Sequence, residues 1–357
     1  MSVMIAKIIN IVIALLVFSA IIFFHELGHF LLAKKNGIYV NEFAVGMGPT
    51  LYSFTRKETK YSLKAIPMGG YCMMLGEDED VEDEHSFSTK PVWGRISVVI
   101  AGPVFNFILA FILSIVLISF IGFDSPVIGK FSEGSPAKEA GIEVGDVITS
   151  YNGHRIYNYR EILVYMQFNQ TGEDITLTVL RDNEELEYRF TPKKTSSGYV
   201  MGIYSGARER GNFFNVLKYS ALELRYYIKT TFLSLEYLFT GKLGLDNLSG
   251  PVGIVSMMSD TIDEAKESAE GDASLAIINI VLNMVNFCIL LSANLGVMNL
   301  LPFPALDGGR TIMLLVEAFF HKRLSANKEA LINTIGFMLL LGLMVIVMFK
   351  DIFKIIG

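Results

Sequence analysis

Residues 96–121 run 26 positions without one charged side chain. Wound into a helix, such a run crosses the roughly 30 Å hydrocarbon core of a bilayer. Three more segments are similarly apolar, at residues 8–32, 275–298 and 331–349. With 52% of its 357 residues hydrophobic, the chain reads as a polytopic α-helical membrane protein with four transmembrane helices. The first segment exceeds the 7–15 residue apolar core of a signal peptide and precedes no small-x-small cleavage site, so it reads as a retained anchor. The net charge of −6 offers no general basic field, which argues against nucleic acid as a partner. Only Cys72 and Cys288 occur, too few for a disulfide framework or a thiolate metal site. Any metal must therefore be held by histidine and carboxylate.

The first apolar segment contains His-Glu-Leu-Gly-His at 25–29. H-E-x-x-H on a helix puts His25 and His29 one turn apart on one face, where both can hold a single zinc. Glu26 then reaches a metal-bound water without ligating the metal and takes its proton. A histidine pair beside a salt-bridged glutamate would be the bland reading in a soluble helix. Within an apolar segment that reading weakens, because an unpaired charge near the bilayer centre costs about 3 kcal/mol. A catalytic zinc wants a third protein ligand. The best supply is the segment NLLPFPALDGGR at 299–310, where Pro302 and Pro304 stop the third span and Asp307 precedes Gly308-Gly309. Asp307 can equally be the N-cap of a helix starting at Gly308, and both roles can hold together.

Lys34, Lys35, Arg56, Lys57, Lys60, Lys64, Lys90 and Arg95 lie between the first two spans, and Arg310, Lys322, Arg323 and Lys328 between the last two. The positive-inside rule puts both connections in the cytoplasm and both termini outside. The insert that follows the second span then lies outside the cytoplasm. Within it, GSPAKEAGIEVGDVITSYNG ends in the turn signal Asn152-Gly153, followed by a helical pattern at Ile162, Leu163, Tyr165 and Met166. Two alternating strands follow, Ile175/Leu177/Val179 and Leu186/Tyr188/Phe190, around Asp182-Asn183. This order resembles the circularly permuted PDZ domain of bacterial proteases, a fold that accepts an extended peptide along a sheet edge, often by its C-terminal carboxylate. The alternative is a small structural β-domain that binds nothing. Residues 211–270 are amphipathic and aromatic-rich, and lie on the membrane surface or pack on the module as a connecting helix.

Taken together, HELGH at 25–29, GPVFN at 102–106, LSGPVGI at 248–254 and NLLPFPALDGGR at 299–310 resemble the site-2 protease family of intramembrane zinc metalloproteases. The likeness is to its bacterial PDZ-bearing branch, of the regulator of sigma-E protease type, in a form with room for one PDZ domain. That resemblance implies one zinc per chain held by His25, His29 and Asp307, with Glu26 as general base and the site near the cytoplasmic face. It implies substrates that are single-span membrane proteins, such as anti-sigma factors and remnant signal peptides, first shortened by a site-1 protease. It also turns the glycine-rich stretch 63–77 into a membrane-associated β-hairpin that pairs with extended substrate, which a transmembrane helix must become before its carbonyls are open to attack. Gly69, Gly70, Asn294 and Asn299 are the expected substrate-binding residues, with interhelical hydrogen bonding the alternative for Asn294. Asn106 is assigned to packing beside the Gly102-Pro103 kink.

The expected organisation is therefore a first span with the zinc motif (1–33), a cytoplasmic loop with the hairpin (34–94), a second span (95–122) and an extracytoplasmic PDZ domain (124–195). A connecting region (196–272), a third span (273–300), a loop and helix carrying the LDGG sequence (301–328) and a fourth span (329–350) follow. A PDZ-bearing membrane scaffold with a vestigial metal site is the rival function, but Glu26 and all three candidate ligands are present. A metal transporter would repeat its ligands through several spans, and only one cluster occurs.

Overall fold

A computed structural model describes residues 2–77, 79, 81–169, 171–196, 198–244, 248–321, 323 and 325–356. The chain divides into two compact units, Met1–Leu113 with Thr231–Gly357, and Ser114–Thr230. Helix α1 (Ser2–Lys35) closes in a Schellman motif, with Gly37 N–H donating to Lys34 O, Ile38 N–H to Ala33 O, and Gly37 at φ +67°. Strands β1 (Val40–Arg56) and β2 (Thr59–Met74) follow, then a 3-10 turn (Phe87–Thr89) and helix α2 (Val92–Ile121).

β1 and β2 are not a simple hairpin. Residues 40–45 pair with 70–74 on one side and 60–63 on the other, and 50–56 pair back onto 59–64. Four stretches therefore lie side by side, the central pair 42–45 and 60–63 in parallel register and the two outer pairs antiparallel, and 70–74 is an edge. The expected hairpin over 63–77 is thus part of a longer curled sheet. Gly46 and Gly48, at φ +86° and +83°, bend β1, and Gly69 at φ +85° bends β2, so each strand folds back along itself. Ala33, Val40, Phe43, Cys72, Met74, Val98 and Val99 form the core that joins this sheet to α1 and α2.

The second unit begins with β3 (Ile128–Phe131), α3 (Pro136–Glu139), β4 (Val147–Tyr151), β5 (His154–Arg155) and α4 (Tyr159–Phe168). β6 (Ile175–Arg181), β7 (Glu184–Phe190), β8 (Lys193–Thr195), β9 (Gly198–Val200) and β10 (Ile203–Ser205) complete its strands. The main sheet has the order β5-β4-β6-β7, and the alternating residues Ile175, Leu177 and Val179 are fully buried in its core. β10 returns to pair with β3, so this unit runs past the expected limit at 195; three-residue strands carry no readable alternation. Helix α5 (Phe213–Phe239) packs on α4: Glu161 is buried between Arg225 and Lys229, and Arg160 pairs with Glu223 and stacks on Tyr226. Of the two placements open for the 211–270 segment, this part of α5 takes the second.

Asp146 secures the turn before β4. Its carboxylate accepts two 2.7 Å bonds from Arg181 and one of 2.9 Å from Glu143 N–H. Burial favours its neutral form, but these donors outweigh burial and hold the carboxyl below its usual range. The unfolded chain therefore takes up the proton at higher pH than the folded one. The stabilisation is present above about pH 4 and lost below it as pH falls through the folded-state value. Scanning fluorimetry between pH 7 and pH 3 should show a steeper acid-side loss in the native chain than in Asp146→Asn. That variant should also lose about 3 kcal/mol at pH 7.

The chain returns through α6 (Pro251–Glu267), α7 (Ala273–Asn299), α8 (Asp307–Phe320) and α9 (Ala326–Ile356). Parts of α1, α2, α7 and α9 are long and apolar enough to cross a membrane. α2 leaves Val104, Ile108, Ile112, Val116 and Phe120 exposed at four-residue spacing, an apolar stripe that suits lipid and not water. The LSGPVGI motif has a steric logic. Asp351, 5% exposed on α9, accepts 2.8 Å bonds from Gly250 N–H and Gly253 N–H and so caps α6. A Cβ on either glycine would lie 2.9 Å from the same carboxylate oxygen.

Candidate metal centre

The HELGH sequence lies inside α1 with His25 and His29 both buried, 7% and 8% exposed. α7 ends at Asn299, and the chain then makes a tight turn through Pro302, Pro304 and Ala305, the last at φ +71°. α8 starts at Asp307, so this residue takes the first helical position and not the N-cap, which is Leu306. Gly308 and Gly309 let the turn fold onto α8. A Cβ there would lie 2.2 Å from Leu301 O and Phe303 O respectively.

That turn brings Asp307 to the histidines. Asp307 Oδ2 is 3.2 Å from His25 Nε2 and 3.6 Å from His29 Nε2, and the two Nε2 atoms are 3.2 Å apart. A tetrahedral zinc with bonds of about 2.0–2.1 Å has ligand–ligand edges of about 3.3 Å. The triangle has the size that zinc requires. His29 Nδ1 lies 2.9 Å from Val98 O, which can only accept. The ring proton is therefore on Nδ1, and Nε2 turns a lone pair to the cluster. Asp307 Oδ2 is buried and faces the two Nε2 atoms, so with both rings turning lone pairs inward it has no donor, as suits an oxygen meant for a cation. These donors fit zinc.

α2 closes over the histidines so tightly that a Cβ on Gly102 would lie 2.3 Å from His29 Nε2 and 2.7 Å from His25 Cε1. One turn further, the side chain of Asn106 meets His25 Nδ1 at 3.1 Å, and Ser292 Oγ–H donates to the Asn106 carbonyl. Packing alone is therefore the wrong account of Asn106; it touches a site histidine. The signal was a lone amide four residues past a glycine in a charge-free span.

Asn299 also reaches the site, its Nδ2 lying 3.3 Å from His25 Nε2. Asn294 does not: its Oδ1 accepts from Thr231 Oγ–H on α5, the interhelical alternative. Gly69 and Gly70 lie on β2 where it runs beside α1. Ser19 Oγ–H donates to Pro67 O, and a Cβ on Gly70 would be 3.7 Å from Glu26 Cγ. α8 is pinned at both ends, by Arg310 to Glu77 and by Arg95 to Glu317. Sequence reasoning missed both pairs, whose partners lie more than 220 positions apart. A cavity of about 350 Å³ opens on Asp307, lined in part by the polar side chains of Arg310, Asn333 and Thr334.

Two histidines one helical turn apart and a distant carboxylate, set among four apolar helices, define a metallohydrolase site in a multi-pass membrane protein. Residues 13–343 match the description Peptidase family M50. A Clostridium acetobutylicum protein named "Putative zinc metalloprotease" is 39% identical, over 96% of this chain and 97% of its own length. The "Regulator of sigma-W protease RasP" of Bacillus subtilis is 31% identical, over 96% of this chain and 98% of its own. The "Zinc metalloprotease RasP" of Shouchella clausii is 32% identical, over 95% and 97%. These likenesses make the class a metalloprotease with zinc as its cofactor. The chain belongs to peptidase family M50, which bears out the resemblance drawn from its motifs.

Proposed function

We propose that this metalloprotease cuts peptide bonds within the transmembrane segments of single-span membrane proteins. The observation that carries this reading is the position of His25 and His29 inside an apolar, membrane-length helix. His25, His29 and Asp307 would hold the zinc, which when bound polarises the scissile carbonyl and lowers the pKa of its water. Glu26, next to His25, would take a proton from the attacking water and deliver it to the leaving amide nitrogen. Asn299 offers an amide N–H beside the cluster, suited to hold a substrate carbonyl. The cavity against Asp307 gives water a polar approach through Arg310, Asn333 and Thr334.

The edge stretch 70–74 supports strand addition as the way substrate is held, because it starts at Gly70 beside Glu26. Gly69 and Gly70, at the start of that edge, are the residues that would meet an unwound substrate backbone. The inserted unit has the element order of a permuted PDZ domain, extracytoplasmic by the lysine and arginine asymmetry, with both termini on the same side and the site near the cytoplasmic face. Its relative in Bacillus subtilis is named for sigma-W regulation, which favours anti-sigma factors among the substrates, with remnant signal peptides a second group. A site-1 protease would shorten such substrates first, and a C-terminus so exposed is a ligand of the kind a PDZ groove accepts.

The test is the position of the cut. The purified chain, given a single-span test substrate in detergent, should yield fragments ending inside the apolar segment, and a chelator should abolish them until zinc is restored. Cuts confined to the water-exposed flanks would contradict the proposal.

A further inference from the structure

The two histidines are oriented by unlike partners. Val98 O beside His29 can only accept, which fixes one tautomer. His25 Nδ1 faces the carboxamide of Asn106, which can either donate or accept. Asn106 is fully buried, its Nδ2 lies 3.1 Å from His25 Nδ1, and its Oδ1 is buried with no hydrogen-bond partner among the described residues. Its backbone is held in place, since Ser292 Oγ–H donates to its carbonyl at 2.8 Å.

We propose that Asn106 is the positioning residue that matches the tautomer of His25 to zinc by turning its carboxamide. With Nδ2 toward the ring, Nδ1 must accept, so the single ring proton sits on Nε2. That nitrogen then faces Asp307 Oδ2 as an N–H and cannot bind a metal. A half-turn about the terminal torsion exchanges Oδ1 and Nδ2 at nearly constant shape. Oδ1 then accepts from Nδ1–H, and Nε2 presents its lone pair to the cluster. The proton moves from Nε2 to Nδ1, with no net gain or loss by the ring, and the unpartnered oxygen acquires a donor. His25 thus keeps a hydrogen bond in both tautomers, whereas His29 is held in one.

The inference rests on His25 being a zinc ligand, so the test separates the two claims. Zinc affinity of the full chain in detergent is measured by chelator competition for the native protein, Asn106→Leu, Asn106→Asp and His25→Ala. Leucine keeps the volume but cannot accept, and should weaken zinc about 10–100-fold. Aspartate accepts only, locking the metal-competent tautomer, and should bind zinc at least as tightly as asparagine. Native-like affinity in Asn106→Leu alongside a large loss in His25→Ala would overturn the positioning role while sparing the ligand. Unchanged affinity in His25→Ala would overturn the ligand assignment and the inference with it. Should Asn106→Leu not fold, Asn106→Asp decides: a loss of about tenfold or more overturns the proposal.

Discussion

Glu26→Gln should keep one zinc per chain and lower the cleavage rate by about 10²–10⁴-fold, the usual contribution of a positioned general base. The substitution preserves size and polarity, so α1 and the two histidines that flank the position keep their places. What disappears is the ability to take a proton from water and pass it to the leaving nitrogen. Zinc binding and turnover should therefore separate cleanly, since Glu26 is not among the atoms that converge on the metal position. Metal analysis and a fragment assay on the same preparation check both halves. Loss of zinc together with activity would make Glu26 a ligand, and undiminished cleavage would remove it from the mechanism.

Gly102→Ala should be nearly as damaging, for a reason that has nothing to do with chemistry at residue 102. Its Cβ would stand 2.3 Å from His29 Nε2, so the rings or the backbone of α2 must shift. Room to shift is scarce, because a Cβ on neighbouring Gly28 would lie equally close to Ala101 O, at 2.4 Å. A displacement of about 1 Å at a reacting centre costs about 10²-fold in rate. Here the displaced atoms are the candidate ligands, so zinc content after dialysis against a weak chelator should fall too. Gly342→Ala provides the control. That glycine faces open space on α9, and the change should leave zinc and cleavage intact while helping the helix by about 1 kcal/mol. Equal behaviour of the two variants would show that close packing of α2 is irrelevant to the site.

Much of the candidate metal centre was legible in the sequence, because its parts violate local expectation. His25, Glu26 and His29 are polar in a span that has to be apolar, and Asp307 follows two prolines that end a helix. The four long apolar helices were readable for the complementary reason, since runs free of charge have few other destinations. What stayed hidden depends on contacts across the sequence. Asp351 accepts from Gly250 and Gly253 about a hundred residues earlier, a contact that no local pattern around position 351 signals. The doubling-back of β1 and β2 turns on φ values at Gly46, Gly48 and Gly69, which composition marks as flexible without saying which way they bend. Asn106 was misjudged because an amide in a span has two common uses, and only its 3.1 Å approach to His25 distinguishes them. Asn294 went the other way, to Thr231, for the same underlying ambiguity.

The most direct test of the centre is X-ray absorption at the zinc edge on the purified full-length chain, read together with zinc content. One zinc per chain with two imidazole nitrogens and a carboxylate oxygen at about 2.0–2.2 Å is the predicted result, and Asp307→Ala should lose the carboxylate shell. A sulfur neighbour, well under one zinc per chain, or a spectrum unchanged in Asp307→Ala would contradict the assignment of His25, His29 and Asp307.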